Sequence, residues 1–166
     1  KLQADVARRT SAVGYIRSGE FEIHNLVEAR NLSTMLCLAC PDPKAAMLGL
    51  FELMANGIEH GVLKIGYDEK TELMLENKYE LEVQRRLNMA KYDGGVVVRF
   101  YRLDDRLKFE IIDSGEGFDP TPYLTFSPDR AMDPHGRGIA MSKVCSFDSV
   151  EYIGKGNEVH CEIMLK

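Results

Sequence analysis

The chain has 166 residues, of which 45% are hydrophobic and 28% charged, and its formal net charge is −5. This composition predicts one globular domain that is large enough to bury a core. The net charge and a pI near 5.4 argue against nucleic acid or an anionic membrane as a general partner, because the overall field would attract neither. The sequence has no apolar run near the ~20 residues that span a bilayer and no signal-peptide pattern at its start, so we expect a cytoplasmic protein.

Residues 1–19 are predicted to form a linker or interdomain segment, because the chain begins with Lys1 rather than Met and can be a fragment of a longer protein. A weak alternation over 21–26 predicts a first strand, and a helical pattern follows over 28–40. Residues 20–166 are expected to form the single domain.

The segment 41–61 carries the clearest helix signals in the chain. Asp42 is a preferred N-cap residue, Pro43 suits the first helical position, and Gly61 lies just past the expected end. We therefore predict a helix that fills this segment.

This helix has an apolar arc and a polar arc when its residues are placed at about 100° intervals. Glu52, Asn56 and His60 share the polar arc with Glu59. The arc is either a solvated surface or the wall of a cleft, in which the Asn56 amide oxygen could bind Mg²⁺ and Glu52 could orient or deprotonate a nucleophile. The apolar arc consists of Met47, Leu50, Phe51, Met54 and Ile58.

The next stretch, 67–92, is dense in Glu, Lys and Arg with interspersed leucines. It predicts one or two amphipathic helices that form an insertion. The surface is either a solvated elaboration or a docking or dimer surface, and we do not place it in the site.

Four strands are predicted in the second half of the chain. Those over 96–103 and 106–112 are separated by a short hairpin signal, and those over 149–153 and 158–165 flank a glycine-containing turn. With the first strand, the expected sheet has five strands.

A glycine-rich stretch, Asp113-Ser114-Gly115-Glu116-Gly117-Phe118, follows the strand at 106–112. A carboxylate at a strand end is held by the sheet, so Asp113 can accept a hydrogen bond from an exocyclic amino group such as that of adenine. Gly115 and Gly117 let the backbone pass close to a flat ring.

A second glycine-rich stretch, Gly136-Arg137-Gly138-Ile139, precedes a predicted helix over 139–145. Glycines at a helix start expose backbone N–H groups and the positive end of the helix dipole, which suits phosphate, and Arg137 adds a guanidinium. The proline-containing segment 119–135 between the two stretches is a candidate lid. Asp133 and His135 either touch phosphate or serve a turn.

The four cysteines are predicted to be buried free thiols of the core. Cys37 and Cys40 have the spacing of a redox motif, but they fall inside a helical pattern. Cys145 and Cys161 fall in the interiors of a predicted helix and strand. A zinc or disulfide role is the alternative.

Taken in order, Glu52-x-x-x-Asn56 and the two glycine-rich stretches beginning at Asp113 and Gly136 resemble the N, G1 and G2 boxes of the GHKL ATPases. This superfamily includes gyrase, Hsp90, MutL and the histidine kinases. Residues 20–166 are most similar to the anti-sigma-factor serine kinases and to the histidine-kinase-like ATPase modules of bacterial response regulators. His24 does not fit the phosphoacceptor of a sensor kinase, because it lies in a predicted strand without an acidic residue closely following it.

The resemblance implies a Bergerat ATP-binding fold of the α/β class, an α+β two-layer sandwich with a mixed, mostly antiparallel sheet and helices packed on one face. It implies that Mg-ATP binds between the sheet, the helices and a mobile lid. Asp113 would select adenine, Asn56 would ligate Mg²⁺, residues 136–138 would wrap the phosphates, Arg137 would offset γ-phosphate charge and Glu52 would act as the base.

Two functions remain open from the sequence. One is a protein kinase of a signal-transduction system, acting on a serine in preference to a histidine of a partner such as an anti-anti-sigma-like substrate, a sigma factor or an attached receiver domain. The other is a non-catalytic ATP-sensing module of a two-component response regulator, in which nucleotide occupancy sets the lid and a protein interface. A homodimer is a candidate assembly in either case.

Overall fold

The computed structural model describes residues 12–165. Its five strands form one sheet in the order β1-β2-β3-β5-β4, and every neighbouring pair is antiparallel. The sequence predicts a mixed, mostly antiparallel sheet. The antiparallel part is confirmed, but no parallel pair occurs among the described strands, because β2–β3 and β4–β5 are hairpins and β1 and β5 pair antiparallel with β2 and β3. The strands are β1 (Ser18–Ile23), β2 (Val96–Arg102), β3 (Arg106–Asp113), β4 (Ser149–Ile153) and β5 (Glu158–Met164).

The two faces of the sheet differ because side chains alternate along each strand. On β2, β3 and β5, every second residue is buried, and these residues meet the helices in the core. The opposite face carries charged pairs such as Arg99 with Glu20 and Arg106 with Glu162. The helices pack on one face of the sheet, so the predicted two-layer α+β sandwich is confirmed. The sheet contributes Ile23, Val96, Val98, Phe100, Leu107, Phe109, Ile111, Val150, Val159, Cys161 and Ile163 to the core.

The first strand and helix are shifted from their predicted positions. Strand β1 ends at Ile23, and helix α1 (Leu26–Leu36) begins after Asn25, whose side chain accepts the Glu28 N–H at 2.9 Å. This N-cap makes the chain turn where the weak alternation predicts strand. Ser18 and Gly19 pair with β2, so the predicted linker boundary at residue 19 falls inside the sheet, and residues 1–11 lie outside the described chain.

Helix α2 (Pro43–Asn56) is capped by Asp42 as predicted, with Asp42 accepting the Ala45 N–H at 3.2 Å. The helical segment ends at Val62, close to the predicted end at Gly61, but its last part, Gly57–Val62, is a π-helical turn rather than α-helix. The Leu63 N–H donates to the Ile58 carbonyl at 2.9 Å, five residues back. A π turn of this kind often marks a functional position in a helix.

The charged stretch 67–92 contains two helices, α3 (Tyr67–Leu75) and α4 (Tyr79–Leu87). It is joined to the rest of the protein by Arg86, a buried side chain that donates to the carbonyl of Leu63 at 2.9 Å. Arg86 also forms ion pairs with Glu69 and Glu82, so its charge is paired despite burial.

The last helical segment is short. Helix α5 (Gly138–Met141) continues as a π-helical turn, Ser142–Ser146. Cys145 is exposed on this turn, so the prediction that it is a core thiol is wrong, whereas the other three cysteines are buried and free as predicted. The helical structure predicted over 139–145 is present, and Gly49 of α2 packs directly on its last residue, Ser146. None of the helices within residues 12–165 has the length and apolar character needed to cross a membrane.

Candidate functional site

A cleft of about 350 Å³ opens at the end of β3 and is lined by all three of the sequence elements that we singled out. The π turn after α2 forms one wall, the loop after Asp113 forms another, and the second glycine-rich stretch closes a third side. Its volume lies within the range of small-molecule sites. The lining includes Asn56, His60, Asp113, Gly117, Phe118, Gly136, Gly138 and Ile139.

Asp113 lies at the floor of this cleft and is fixed through its backbone. Its N–H donates to the Asn157 carbonyl at 2.9 Å, and its carbonyl accepts the Asn157 side-chain amide at 3.0 Å. One carboxylate oxygen accepts the Gly115 N–H at 2.7 Å. This is a short-range turn that sets the direction of the carboxylate before any ligand arrives.

Three glycines allow the chain to pack tightly around this carboxylate. A Cβ on Gly61 would lie 2.3 Å from the Asp113 carboxyl carbon, and a Cβ on Gly115 would lie 2.8 Å from the Gly61 Cα. A Cβ on Gly57 would lie 3.0 Å from Val96 and 3.6 Å from the Asp113 Cβ. The π turn and the strand end are therefore in backbone contact, and larger residues at 61 or 115 would push the carboxylate away.

Burial raises the pKa of Asp113, although the Gly115 N–H and the charge of Lys155 oppose the shift. Desolvation disfavours the charged form of a carboxyl group. The Asp113 carboxylate nevertheless lines the cleft, and the Gly115 N–H occupies only part of its capacity to accept hydrogen bonds. A ligand that donates a hydrogen bond could therefore satisfy its remaining acceptor sites.

The loop after Asp113 is interlocked with the β4–β5 turn. Gly117 and Gly156 have φ values of +84° and +94°. A Cβ on Gly117 would lie 2.0 Å from the Lys155 carbonyl oxygen, and a Cβ on Gly156 would lie 2.1 Å from that of Phe118. Both positions therefore require glycine for space as well as for conformation.

Phe118 begins an aromatic wall of the cleft. Its ring meets Tyr152 edge-on, with centroids 5.3 Å apart, and lies 6.0 Å from the ring of Tyr123. Aromatic faces suit a flat apolar ligand. Gly115, in contrast, is buried behind Asp113 and does not line the cleft.

Asn56 and His60 line the cleft, so their shared helix face is not simply solvated. The third residue of that face, Glu52, is half-buried and lies beside the cleft rather than in its lining. Its carboxylate covers Gly138, where a Cβ would lie 2.2 Å from the Glu52 Oε2 atom. Burial raises the pKa of Glu52, Lys70 lowers it and Glu59 raises it further. This is the direction expected for a carboxylate that takes up a proton.

The remaining polar side chains of this helix have internal partners. Glu59 is buried and forms an ion pair with Lys70 of α3. His60 is hydrogen-bonded through Nδ1 to the Ile65 carbonyl, and burial lowers the pKa of its imidazole. Glu59 is therefore a structural residue that anchors α3.

The second glycine-rich stretch is split between the cleft and the surface. Gly136 has φ +91°, and a Cβ there would lie 2.5 Å from the Tyr67 ring. Gly138 and Ile139 line the cleft beside it. Arg137 is exposed and lines a separate hollow of about 620 Å³ beneath the lid, so the structure does not bring its guanidinium into the cleft.

The segment 119–135 is irregular, as expected of a lid, with short 3₁₀ turns at Thr121–Tyr123 and Pro128–Arg130. Arg130 organises it from within, since its guanidinium lies 4.8 Å from the centroid of the Tyr123 ring. Arg130 also donates to carbonyls of Pro122 and Thr125.

Two residues of α3 hold this segment, and the sequence predicts neither of them. The Tyr67 hydroxyl donates to the Asp133 carboxylate, and Thr71 Oγ1 lies 2.8 Å from His135 Nε2. The Tyr67 and His135 rings are 4.3 Å apart. The stretch 67–92, which we left out of the site, therefore forms part of it, since Tyr67 also lines the cleft.

Comparison of the chain with models of protein families gives no match, and comparison with curated proteins gives none either. The cleft itself combines a half-buried carboxylate with a fixed direction, glycine-lined backbone, an aromatic wall and one residue, Tyr123, of the irregular segment 119–135.

Proposed function

We propose that the protein binds Mg-ATP in this cleft and that its α+β sandwich is a Bergerat-type ATPase domain of the GHKL superfamily. The observation that carries the proposal is the Asp113 carboxylate, which is half-buried in the cleft and closely packed by Gly61 and Gly115. A carboxylate held in this way accepts a hydrogen bond from a planar ligand that carries an amino group, and the exocyclic amine of adenine is such a donor.

The cleft wall supports a purine at this position. Ile111 and Phe118 present apolar surface close to Asp113, and Tyr152 backs the Phe118 ring. Gly117 and Gly156 keep the backbone of this wall close-packed without side chains. An apolar slot with one directed polar group is the usual form of a site that binds a flat heterocycle.

The residues present also fit a magnesium-bound triphosphate. Asn56 lines the cleft and offers an amide oxygen, a ligand type that Mg²⁺ accepts alongside phosphate oxygens and water. Gly136 and Gly138 expose backbone on the adjoining side. Bound Mg²⁺ would neutralise charge on the phosphates, and Asn56 would position it.

We further propose that the bound nucleotide serves signal transduction, with a partner protein such as an anti-anti-sigma-like substrate, a sigma factor or an attached receiver domain. In the kinase form of the proposal, Glu52 accepts the proton of a serine hydroxyl. Its half-buried position against Gly138 and its raised pKa support this role.

The second candidate is a non-catalytic ATP sensor. It is favoured by the lid, because Tyr67 and Thr71 connect the segment that covers the cleft to the surface helix α3. The position of Arg137 also favours a sensor. A kinase would need a cation inside the cleft to offset the charge of the γ-phosphate, but the exposed Arg137 side chain lies outside the cleft. A change in lid position would then alter a protein-binding surface.

The test is calorimetric titration of ATP with Mg²⁺ into the protein and into Asp113→Asn. We expect the variant to bind about 10- to 100-fold more weakly, because a hydrogen bond to a charged group contributes about 1.5–3 kcal/mol. Asp105→Asn is the matched control, since it makes the same chemical change at an exposed residue of the β2–β3 turn. Equal affinity in Asp113→Asn and the control would overturn the adenine assignment.

A further inference from the structure

A second cluster of ligand-type side chains lies on the outer face of the sheet, opposite the helices. Glu110 on β3 and Glu158 and His160 on β5 are half-buried, and one atom from each lies within 4.8 Å of the others. The two strands are paired, with Glu110 directly opposite His160. The cluster is therefore built on adjacent strands of a regular sheet, which holds its backbone rigid.

The register places four glutamates around His160. Glu110 is its partner on β3, and Glu151 is its partner on β4. Glu158 and Glu162 lie two residues away along β5, on the same face. Four glutamates around one imidazole create a local field that attracts a cation.

Two of these carboxylates converge on one ring nitrogen. His160 Nε2 is 2.7 Å from Glu158 Oε1 and 3.3 Å from Glu110 Oε2. Carboxylates only accept hydrogen bonds, so Nε2 carries the proton in this arrangement. A cation bound at Nε2 would take the place of this proton and contact all three side chains, and the neutral imidazole would then carry its proton on Nδ1.

His24 shows that such convergence is not a general property of a histidine between glutamates. Glu22 approaches its Nε2 at 3.1 Å, whereas Glu28 approaches its Nδ1 at 3.6 Å. The two carboxylates thus lie on different sides of the ring, and one ion cannot contact both of them and the imidazole.

We propose that Glu110, Glu158 and His160 form a binding site for a divalent transition-metal ion of the zinc class. Imidazole nitrogen with two carboxylates suits Zn²⁺, whereas Mg²⁺ and Ca²⁺ prefer oxygen ligands alone. A tetrahedral ion with ligands at 2.0–2.2 Å sets those ligand atoms roughly 3.4 Å apart. The distance from Nε2 to Glu110 already matches, and the Glu158 carboxylate has to move outward from Nε2 by less than 1 Å. The two carboxylates lie within 4.8 Å of each other and would adjust to about the same 3.4 Å spacing.

Two cations face the same cluster and oppose metal binding. Lys108 Nζ is 3.2 Å from Glu110 Oε2, and Arg99 Nη1 is 3.9 Å from Glu110 Oε1. The lysine is the nearer charge, and its flexible side chain can turn away from the carboxylate. Its position predicts a second effect, since Lys108→Gln should strengthen metal binding several-fold by removing a like charge.

The experiment is calorimetric titration of Zn²⁺ alone into the full chain without nucleotide, in a Cys145→Ser background that removes the exposed thiol. We expect His160→Gln and Glu158→Gln each to weaken binding by at least about 100-fold, because loss of an outer-shell partner alone costs 10–100-fold. His24→Gln is the matched control and should bind Zn²⁺ as the parent does. Far-UV circular dichroism checks that the variants keep their fold.

The absence of Zn²⁺ binding to the parent, or equal binding by His160→Gln and His24→Gln, would overturn the proposal. Substitution of Co²⁺ should give an absorption spectrum without a thiolate charge-transfer band, and a strong band of that kind would place the ion on cysteine instead. His160 does not line the ATP cleft, whereas Glu158 does. His160→Gln is therefore the variant that should lose Zn²⁺ binding and still bind Mg-ATP normally, and it separates the failure of one proposal from the failure of the other.

Discussion

Gly61→Ala tests whether the π turn is packed against the Asp113 carboxylate as described. The new methyl group would lie 2.3 Å from the Asp113 carboxyl carbon and 2.7 Å from its Cβ. Rotation of the Asp113 side chain cannot clear both contacts, so the turn or the strand end has to move. Overpacking of this kind costs about 1–3 kcal/mol.

Displacement of the carboxylate also breaks its 2.7 Å hydrogen bond from the Gly115 N–H. A hydrogen bond to a charged group contributes about 1.5–3 kcal/mol, while replacing glycine by alanine within a helix returns up to about 1 kcal/mol. We therefore expect Gly61→Ala to lower the free energy of unfolding by about 1.5–6 kcal/mol. Urea denaturation followed by circular dichroism measures the change.

Gly66→Ala is the matched control, because Gly66 also lines the cleft but a Cβ there meets nothing within 4 Å. We expect it to change stability by less than about 1 kcal/mol, since the loss of an N-cap glycine and the gain in backbone restriction oppose each other. A Gly61→Ala effect as small as that of the control would refute the packing argument. In an Asp113→Gly background the cost of Gly61→Ala should fall, which isolates the contact between the two residues.

Three further predictions concern the carboxylates and the metal. Burial raises the pKa of Asp113, so the folded state keeps its proton to higher pH than the unfolded state, whose group titrates near the usual 3.8. As the pH rises from 3.8 to the raised pKa of folded Asp113, the parent should lose stability relative to Asp113→Asn. If the difference in unfolding free energy between the two proteins stays constant between about pH 3 and 7, the pKa shift is contradicted. Asn56→Ala should fold normally but abolish the magnesium dependence of ATP binding, which titrations with and without Mg²⁺ would show; an unfolded variant would instead indicate a structural role. Glu52→Gln should retain ATP binding and lower phosphoryl transfer to a partner by roughly 10²–10⁴-fold in a radiolabel assay. Transfer at the normal rate would require another base, and its absence in the parent would favour the sensor.

Local sequence signals predict the helices and strands of this fold better than the residues at which they begin and end. The Asp42 cap, the β2–β3 hairpin and the alternation on β3 and β5 are properties of neighbouring residues, and each appears where expected. The start of α1 was placed too late because the predicted strand was extended over Asn25, a residue that caps the helix. The π turn at Gly57–Val62 is not predicted, because the hydrophobic periodicity averaged over a whole helix does not show one widened turn.

The site shows the same division between local and long-range information. Asp113 and the glycines beside it could be identified because one turn contains them all. Tyr67 could not be identified, because its partner Asp133 is 66 residues away in the chain. The helix that carries Tyr67 also has the same periodicity as any exposed helix. Arg137 adjoins the cleft residues in sequence, but its side chain leaves on the other side of the backbone.

On the proposal that residues 119–135 act as a lid, their attachment to α3 would set how often the cleft is open. Two side-chain contacts, from Tyr67 to Asp133 and from Thr71 to His135, hold the segment down. Together such contacts contribute about 2–4 kcal/mol, which corresponds to an open population of roughly 0.1–3%. A ligand that enters only when the lid is raised binds this minority, and its apparent affinity falls by the same fraction. Any partner that competes for Tyr67 or Thr71 on the surface of α3 would thereby increase nucleotide access without touching the cleft.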